Sequence, residues 1–190
     1  EVRFAPELHT SGGMAIEEVV EAVTAGFRRG EADAASAGHP IAVFAILCAM
    51  RTEQRSLEVA RLVDRLRERD DKVVAFDLAG AETGFPPSLH AEALAFARAR
   101  HLNVTVHASE PPDLELIDDA LVHGAHRIGH GVRLRSDVEF SGEGAGRTVG
   151  ALGPLARYVL DRRVHLEMAP TCHVHVGAVA AYPEHPVAAF

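Results

Sequence analysis

The chain has 190 residues, 47% hydrophobic and 24% charged, proportions that build a folded domain with one sizeable core and exclude a disordered tail. Nineteen basic residues against 27 acidic give a formal net charge of -8, and without a lysine/arginine cluster interleaved with aromatics a nucleic-acid backbone is repelled rather than held. No apolar run is long enough to span a bilayer and the N-terminus "EVRFAPELHT" lacks the layout of a secretory signal, so neither nucleic acid nor membrane is expected as a partner.

In chain order, Glu1–Pro6 "EVRFAP" reads as a strand, Ile16–Arg29 as a helix and Arg28–Pro40 as a loop. Ala42–Met50 "AVFAILCAM" is the next strand. Glu53–Arg69 follows as a helix, because Leu57, Ala60, Leu62, Val63 and Leu66 recur at helical spacing among arginines and acids. Val73–Ala79 "VVAFDLA" is a strand, and Ser88–Arg100 a helix with Ser88 as its N-cap after Pro86–Pro87. Val104–His107 "VTVH" returns to strand, and Asp113–His123 forms a helix that stops at Gly124. Arg127–Val132 "RIGHGV" is a further strand. The glycine-rich Ser141–Pro154 lacks the lysine and Ser/Thr of a phosphate loop and reads as a mobile connection. Leu155–Arg163 is a helix, Val164–Met168 "VHLEM" a strand, and "TCHVHVG" beyond Pro170 a loop whose His173 and His175 have a spacing that can chelate a metal from one strand face.

Strands that alternate with helices imply parallel pairing and the α/β class. The ionisable residues that interrupt apolar strands lie at strand C-terminal ends, where (β/α)8 barrels and open α/β sheets place ligands. A (β/α)8 TIM-barrel type is the expectation, present as an incomplete barrel because six strands are legible where a closed barrel needs eight. Residues 1–190 are then a single partial catalytic domain. The chain opens on Glu1 inside a strand-like pattern and reads as a piece of something longer. Cys48 and Cys172 are too few for a disulfide framework, so the cytoplasm is the expected location.

Within "VTVHASEPPD", His107 and Glu110 are three residues apart and would face opposite sides of a strand, so they reach one site only if the chain bends at Ser109 and the prolines. The plainer alternative is a core histidine beside a carboxylate at a helix start. His130 lies between Gly129 and Gly131, which removes bulk from both sides of its ring. Asp77 is an acid in an apolar run and requires a partner, His130, His107 or an arginine. Glu167 is a second such acid, and Gly80 ends its strand with bare main chain. His9, His39, His90, His101, His123, His126, His165 and His185 read as solvated.

The ordered motifs "EVRFAPELH", "ILCAMR", "VVAFDLAGAE", "VTVHASE", "RIGHGVRL" and "LEMAPT…VGAV…HP" together resemble the adenosine deaminase family, essentially end to end. That resemblance implies a (β/α)8 barrel represented here by about its strands two to seven, lacking the first and last. It further implies hydrolytic conversion of a purine nucleoside, adenosine to inosine, with Zn2+ as cofactor. By the same resemblance His107 is a zinc ligand, Glu110 the acid that protonates the purine ring, His130 the residue that orients the attacking hydroxide, and Gly80 a main-chain contact to the purine, with Asp77 and Glu167 in support. Ser109 stands where the family's HAGE motif has glycine, and "APTCHVH" replaces a segment resembling "CPSSNVQ". The HxH zinc pair of the family's first strand and the adjacent aspartates of its last do not occur in these residues, and His173-Val174-His175 has HxH spacing but lies near the wrong end to take that role. Catalytic zinc sites use three or more protein ligands, so the 190 residues alone are expected to be inactive and to hold zinc weakly. The alternatives are a non-catalytic relative, or a deaminase of a related aminopurine such as adenine or aminofutalosine.

Overall fold

The computed structural model describes residues 1–142, 148–188 and 190. The chain divides into two compact units, Glu1–Gly80 with His90–Val104, and Ala81–Leu89 with Thr105–Phe190.

In the first unit β1 (Val2–Phe4), β2 (Ala45–Met50) and β3 (Val73–Ala79) pair in parallel, with Val2 opposite Ala45 and Met50 opposite Ala79. Parallel pairing requires a crossover between strands. Helix α1 (Ile16–Ser36) supplies the first and α2 (Ser56–Leu66) the second. Helix α2 buries Val59, Ala60, Leu62, Val63 and Leu66 on one face, which explains its selection from an arginine-rich stretch. Helix α1 corrects the expected loop over Arg28–Pro40. "EADAAS" consists largely of good helix formers, and the helix stops only where Gly38 takes φ +82. There the Gly38 and His39 amides donate to Ala35 O and Ala34 O, a glycine C-cap. Ser88 does not cap the next helix, because Pro87–His90 forms a 3-10 turn and α3 runs Ala91–Ala99.

Strand β4 (Asn103–Ala108) begins at the end of the first unit and continues into the second. There β4, β5 (Arg127–His130) and β8 (His165–Glu167) are parallel, and the register aligns His107 with Gly129 and Gly129 with Glu167. Helix α4 (Glu115–Val122) ends at Gly124, φ +91, as expected. In Ser141–Pro154, β6 (Val138–Ser141) and β7 (Thr148–Leu152) form an antiparallel pair. The expected mobile connection is therefore strand at both described ends, and residues 143–147 of it lie outside the described residues. Asp137 joins this hairpin to α5 (Pro154–Arg162): its main-chain oxygen accepts from Gly153 N and its carboxylate from Ala156 N. A side chain at Gly153 would collide with that carboxylate. Finally α6 (Pro170–His175) is a helix where a loop was expected, since proline at its first turn favours helix entry.

Among the described residues each unit has parallel strands that lead into a helix or helical turn, which makes this the α/β class with the βα repeat of a (β/α)8 barrel, short of the eight strands of a closed one. Among the described residues no helix is long and apolar enough to cross a membrane.

Candidate active site

The site in the second unit is shaped by two residues in the left-handed backbone region. Ser109 (φ +66) and His130 (φ +66) end the adjacent strands β4 and β5. Strict alternation would put His130 on the opposite face from Gly129 and its neighbour His107. The left-handed turn at 130 redirects it, and the His107 and His130 rings meet edge-on with centroids 5.2 Å apart. Gly129 makes room: a Cβ there would lie 3.0 Å from the His107 ring. The bend expected after His107 occurs at Ser109, and it places Glu110 Oε1 3.8 Å from His130 Nε2. His107, Glu110 and His130 are thus gathered at the C-terminal ends of neighbouring strands.

A left-handed non-glycine residue costs of order 1–3 kcal/mol and persists only where its surroundings hold it. Here Glu82 does so. Its carboxylate accepts from Ser109 N at 2.6 Å and from Glu110 N at 3.3 Å. Arg133 clamps the same turn, with Nε donating to Glu110 O and Nη1 to Ala178 O. The Ser109 hydroxyl is buried without a partner among the described residues. Cys172 Sγ donates to Glu110 Oε1 at 3.3 Å, and that bond is the first cause raising the thiol's pKa. Glu82, Glu110 and His130 each offer a ligand atom, all within 4.8 Å of one another, a spacing that could hold a cation. Glu82, however, is already engaged by two main-chain amides and serves the turn.

Behind His130 stands His173, 0% exposed. Its Nε2 is 2.9 Å from His130 Nδ1, and its Nδ1 is 2.8 Å from His185 Nε2. Burial, reinforced by His130 and His185, lowers the His173 pKa to about 4, and burial also lowers that of His185. His185 is therefore not solvated, and His173 and His175 share no metal face, since His173 is buried and His175 exposed on one short helix. Sequence reasoning missed Glu82, Cys172, His173 and His185 as parts of the site. The departure of "APTCHVH" from the family pattern was the available signal for Cys172 and His173.

Glu167 on β8 lies 3.2 Å from Arg127 Nε on β5, which also donates to Thr105 Oγ1. In the first unit Asp77, 0% exposed, accepts from Arg3 Nη1 at 3.3 Å and from Cys48 Sγ at 3.2 Å. Gly80 has φ +99, which calls for glycine, while the Met50 methyl, 2.9 Å from where a Cβ would lie, ends a flexible side chain that can move aside. His90, expected to be solvated, is buried, bonded to Ser56 Oγ and Arg51 O, and its pKa is lowered by burial.

Parallel βα units with imidazoles and a carboxylic acid gathered at strand C-terminal ends define the (β/α)8-barrel class of ligand site. A family model described as adenosine deaminase matches residues 1–190, and the chain belongs to the adenosine deaminase family. A curated adenosine deaminase of Mycolicibacterium gilvum is 46% identical over 98% of this chain and 50% of its own length. The chain thus spans about half the length of the curated relatives it matches. Among solved structures, adenine deaminase from Arthrobacter aurescens is 25% identical with a TM-score of 0.74, over 97% of this chain and 50% of that one. An amidohydrolase from Burkholderia ambifaria, solved with bound zinc, shares the fold at 17% identity and TM-score 0.73, over 92% of this chain and 43% of that one.

Proposed function

We propose that this chain is part of a zinc-dependent hydrolase that removes the amino group of a purine nucleoside, converting adenosine to inosine. The observation that carries the reading is the meeting of His107, His130 and Glu110 at the ends of β4 and β5, with ring centroids 5.2 Å apart and Glu110 Oε1 3.8 Å from His130 Nε2.

The residues fit the metal in part. His107 would hold it, because the space left by Gly129 receives its ring and a neutral imidazole is a favoured zinc ligand. One imidazole does not hold catalytic zinc, so the 190 residues alone are proposed to bind it weakly and to be inactive. When bound, zinc supplies the Lewis acidity that activates water near neutral pH. Glu110 delivers a proton to the purine ring nitrogen, which makes the amino-bearing carbon electrophilic. The turn held by Glu82 and Arg133 fixes where that proton is offered, and general acid catalysis of this kind contributes about 10²–10⁴-fold. His130 holds the attacking oxygen by a hydrogen bond. A cytoplasmic location is proposed with this reading.

The test is ammonia release from adenosine, with adenine as competitor, by the zinc-loaded full gene product that carries this chain. Release is expected with adenosine preferred, and Glu110→Gln should lower kcat by about 10²–10⁴-fold while leaving the melting temperature close to wild type. A folded, zinc-loaded protein that releases no ammonia from either purine overturns the proposal.

A further inference from the structure

Three histidines of the second unit form an unbroken hydrogen-bonded series. His130 Nδ1 lies 2.9 Å from His173 Nε2, and His173 Nδ1 lies 2.8 Å from His185 Nε2. The rings of His173 and His185 are nearly parallel, at 4°, while those of His130 and His173 are tilted by 53°. A neutral imidazole donates at one nitrogen and accepts at the other, so ring positions by themselves leave the direction of each bond open.

The far end of the series removes that freedom. The main-chain N–H of Val187 is 3.1 Å from His185 Nδ1, and a main-chain amide can only donate. His185 Nδ1 therefore accepts, which leaves the His185 proton on Nε2. That N–H donates to His173 Nδ1, so the His173 proton is on Nε2 in turn. It donates to His130 Nδ1, and the proton of a neutral His130 is then on Nε2, the nitrogen 3.8 Å from Glu110 Oε1.

We infer that the Val187 amide, acting through His185 and His173, locks His130 in the Nε2–H tautomer, so that His130 meets the contents of the site as a hydrogen-bond donor. His173 and His185 are positioning residues. A proton on His130 Nδ1 would face the Nε2–H of His173. If all three rings exchanged tautomers, His185 Nδ1–H would face the Val187 amide. Either arrangement loses a hydrogen bond, the first at His173, 0% exposed, and the second at His185, 6% exposed, where solvent does not freely replace it. The depressed pKa values of His173 and His185, both caused first by burial, agree with neutral rings in the middle of the series.

What the donor serves rests on the deaminase reading, in which His130 Nε2–H holds the attacking oxygen; the tautomer itself does not. The experiment is long-range 1H–15N correlation NMR of the histidine-labelled full gene product that carries this chain, at neutral pH without metal or substrate. His130 should show a protonated Nε2 and an unprotonated Nδ1. His173→Gln, whose amide N–H can replace the donor, should keep that pattern, whereas His173→Phe should collapse it towards tautomer-averaged shifts. If His173→Phe does not fold, His185→Phe asks the same of the next link and should also shift His130 towards averaging. A protonated Nδ1 at His130 in the wild type, or a pattern that survives the phenylalanine substitution in a folded variant, overturns the inference. A failed ammonia assay beside an intact tautomer pattern would count against the deaminase reading alone.

Discussion

Two regions of the molecule handle buried polar groups at strand ends in opposite ways. In the first unit Asp77 lies within β3, follows the strand's alternation, and is met by Arg3 and Cys48 from strands β1 and β2. The main chain there stays regular up to Gly80, where the left-handed turn falls on a glycine. In the second unit the turns at the ends of β4 and β5 fall on Ser109 and His130, which are not glycines, and the side chains they redirect form the site. Partner choice neutralises charge in the first region. Backbone strain aims it in the second. Strain held by neighbours at a ligand-binding end of a sheet is a recurring mark of function, and it supports placing the proposed site in the second unit.

Three substitutions or conditions probe that contrast, beginning with the strongest. Asp77→Ala should remove the acceptor shared by Arg3 and Cys48 and lower stability by about 2–4 kcal/mol. Loss of one partner of a fully buried pair costs about 3–5 kcal/mol, and Arg3, 30% exposed, regains water. Chemical denaturation measures it, and a loss under about 0.5 kcal/mol would mean that the first region is not organised around this carboxylate.

Acid should act on the second region through His173. Its folded pKa of about 4 lies below the ordinary imidazole value of 6.5, so between those values the unfolded chain binds a proton that the folded chain refuses. The stabilisation is present above about pH 6.5 and is lost as pH falls towards 4. Melting temperature against pH should therefore drop more steeply for wild type than for His173→Gln over that window. Equal slopes would place the loss elsewhere.

Ser109→Gly carries the smallest effect and the opposite sign. Glycine takes φ +66 without penalty and removes a hydroxyl that is buried without a partner among the described residues, so stability should rise by about 1 kcal/mol. A lowered melting temperature would show that the serine makes a contact of its own.

Much of the site was legible because its signals are local. The apolar run before His107, the prolines after Glu110 and the glycines on either side of His130 are consecutive residues whose backbone preferences do not depend on distant packing. Asp77 was legible as a buried acid, while Arg3, 74 residues away along the chain, was not legible as its partner. Helix α1 runs past Arg29, where the sequence pattern ends it, to Ser36, since a charged stretch carries no apolar periodicity even where its propensity is helical. His90, within the expected helix Ser88–Arg100, and His185 read as solvated because a single histidine carries no pattern of its own.

By itself the sequence determined the alternation of strands and helices, the family, and which imidazoles and acids end the strands, since these follow from side-chain periodicity and from glycine and proline at single positions. Tertiary structure alone decided that Glu82 holds the Ser109 turn and that His173 and His185 stand in series behind His130. Burial and hydrogen-bond partners are properties of residues far apart in the chain that come within about 3 Å only after it has folded.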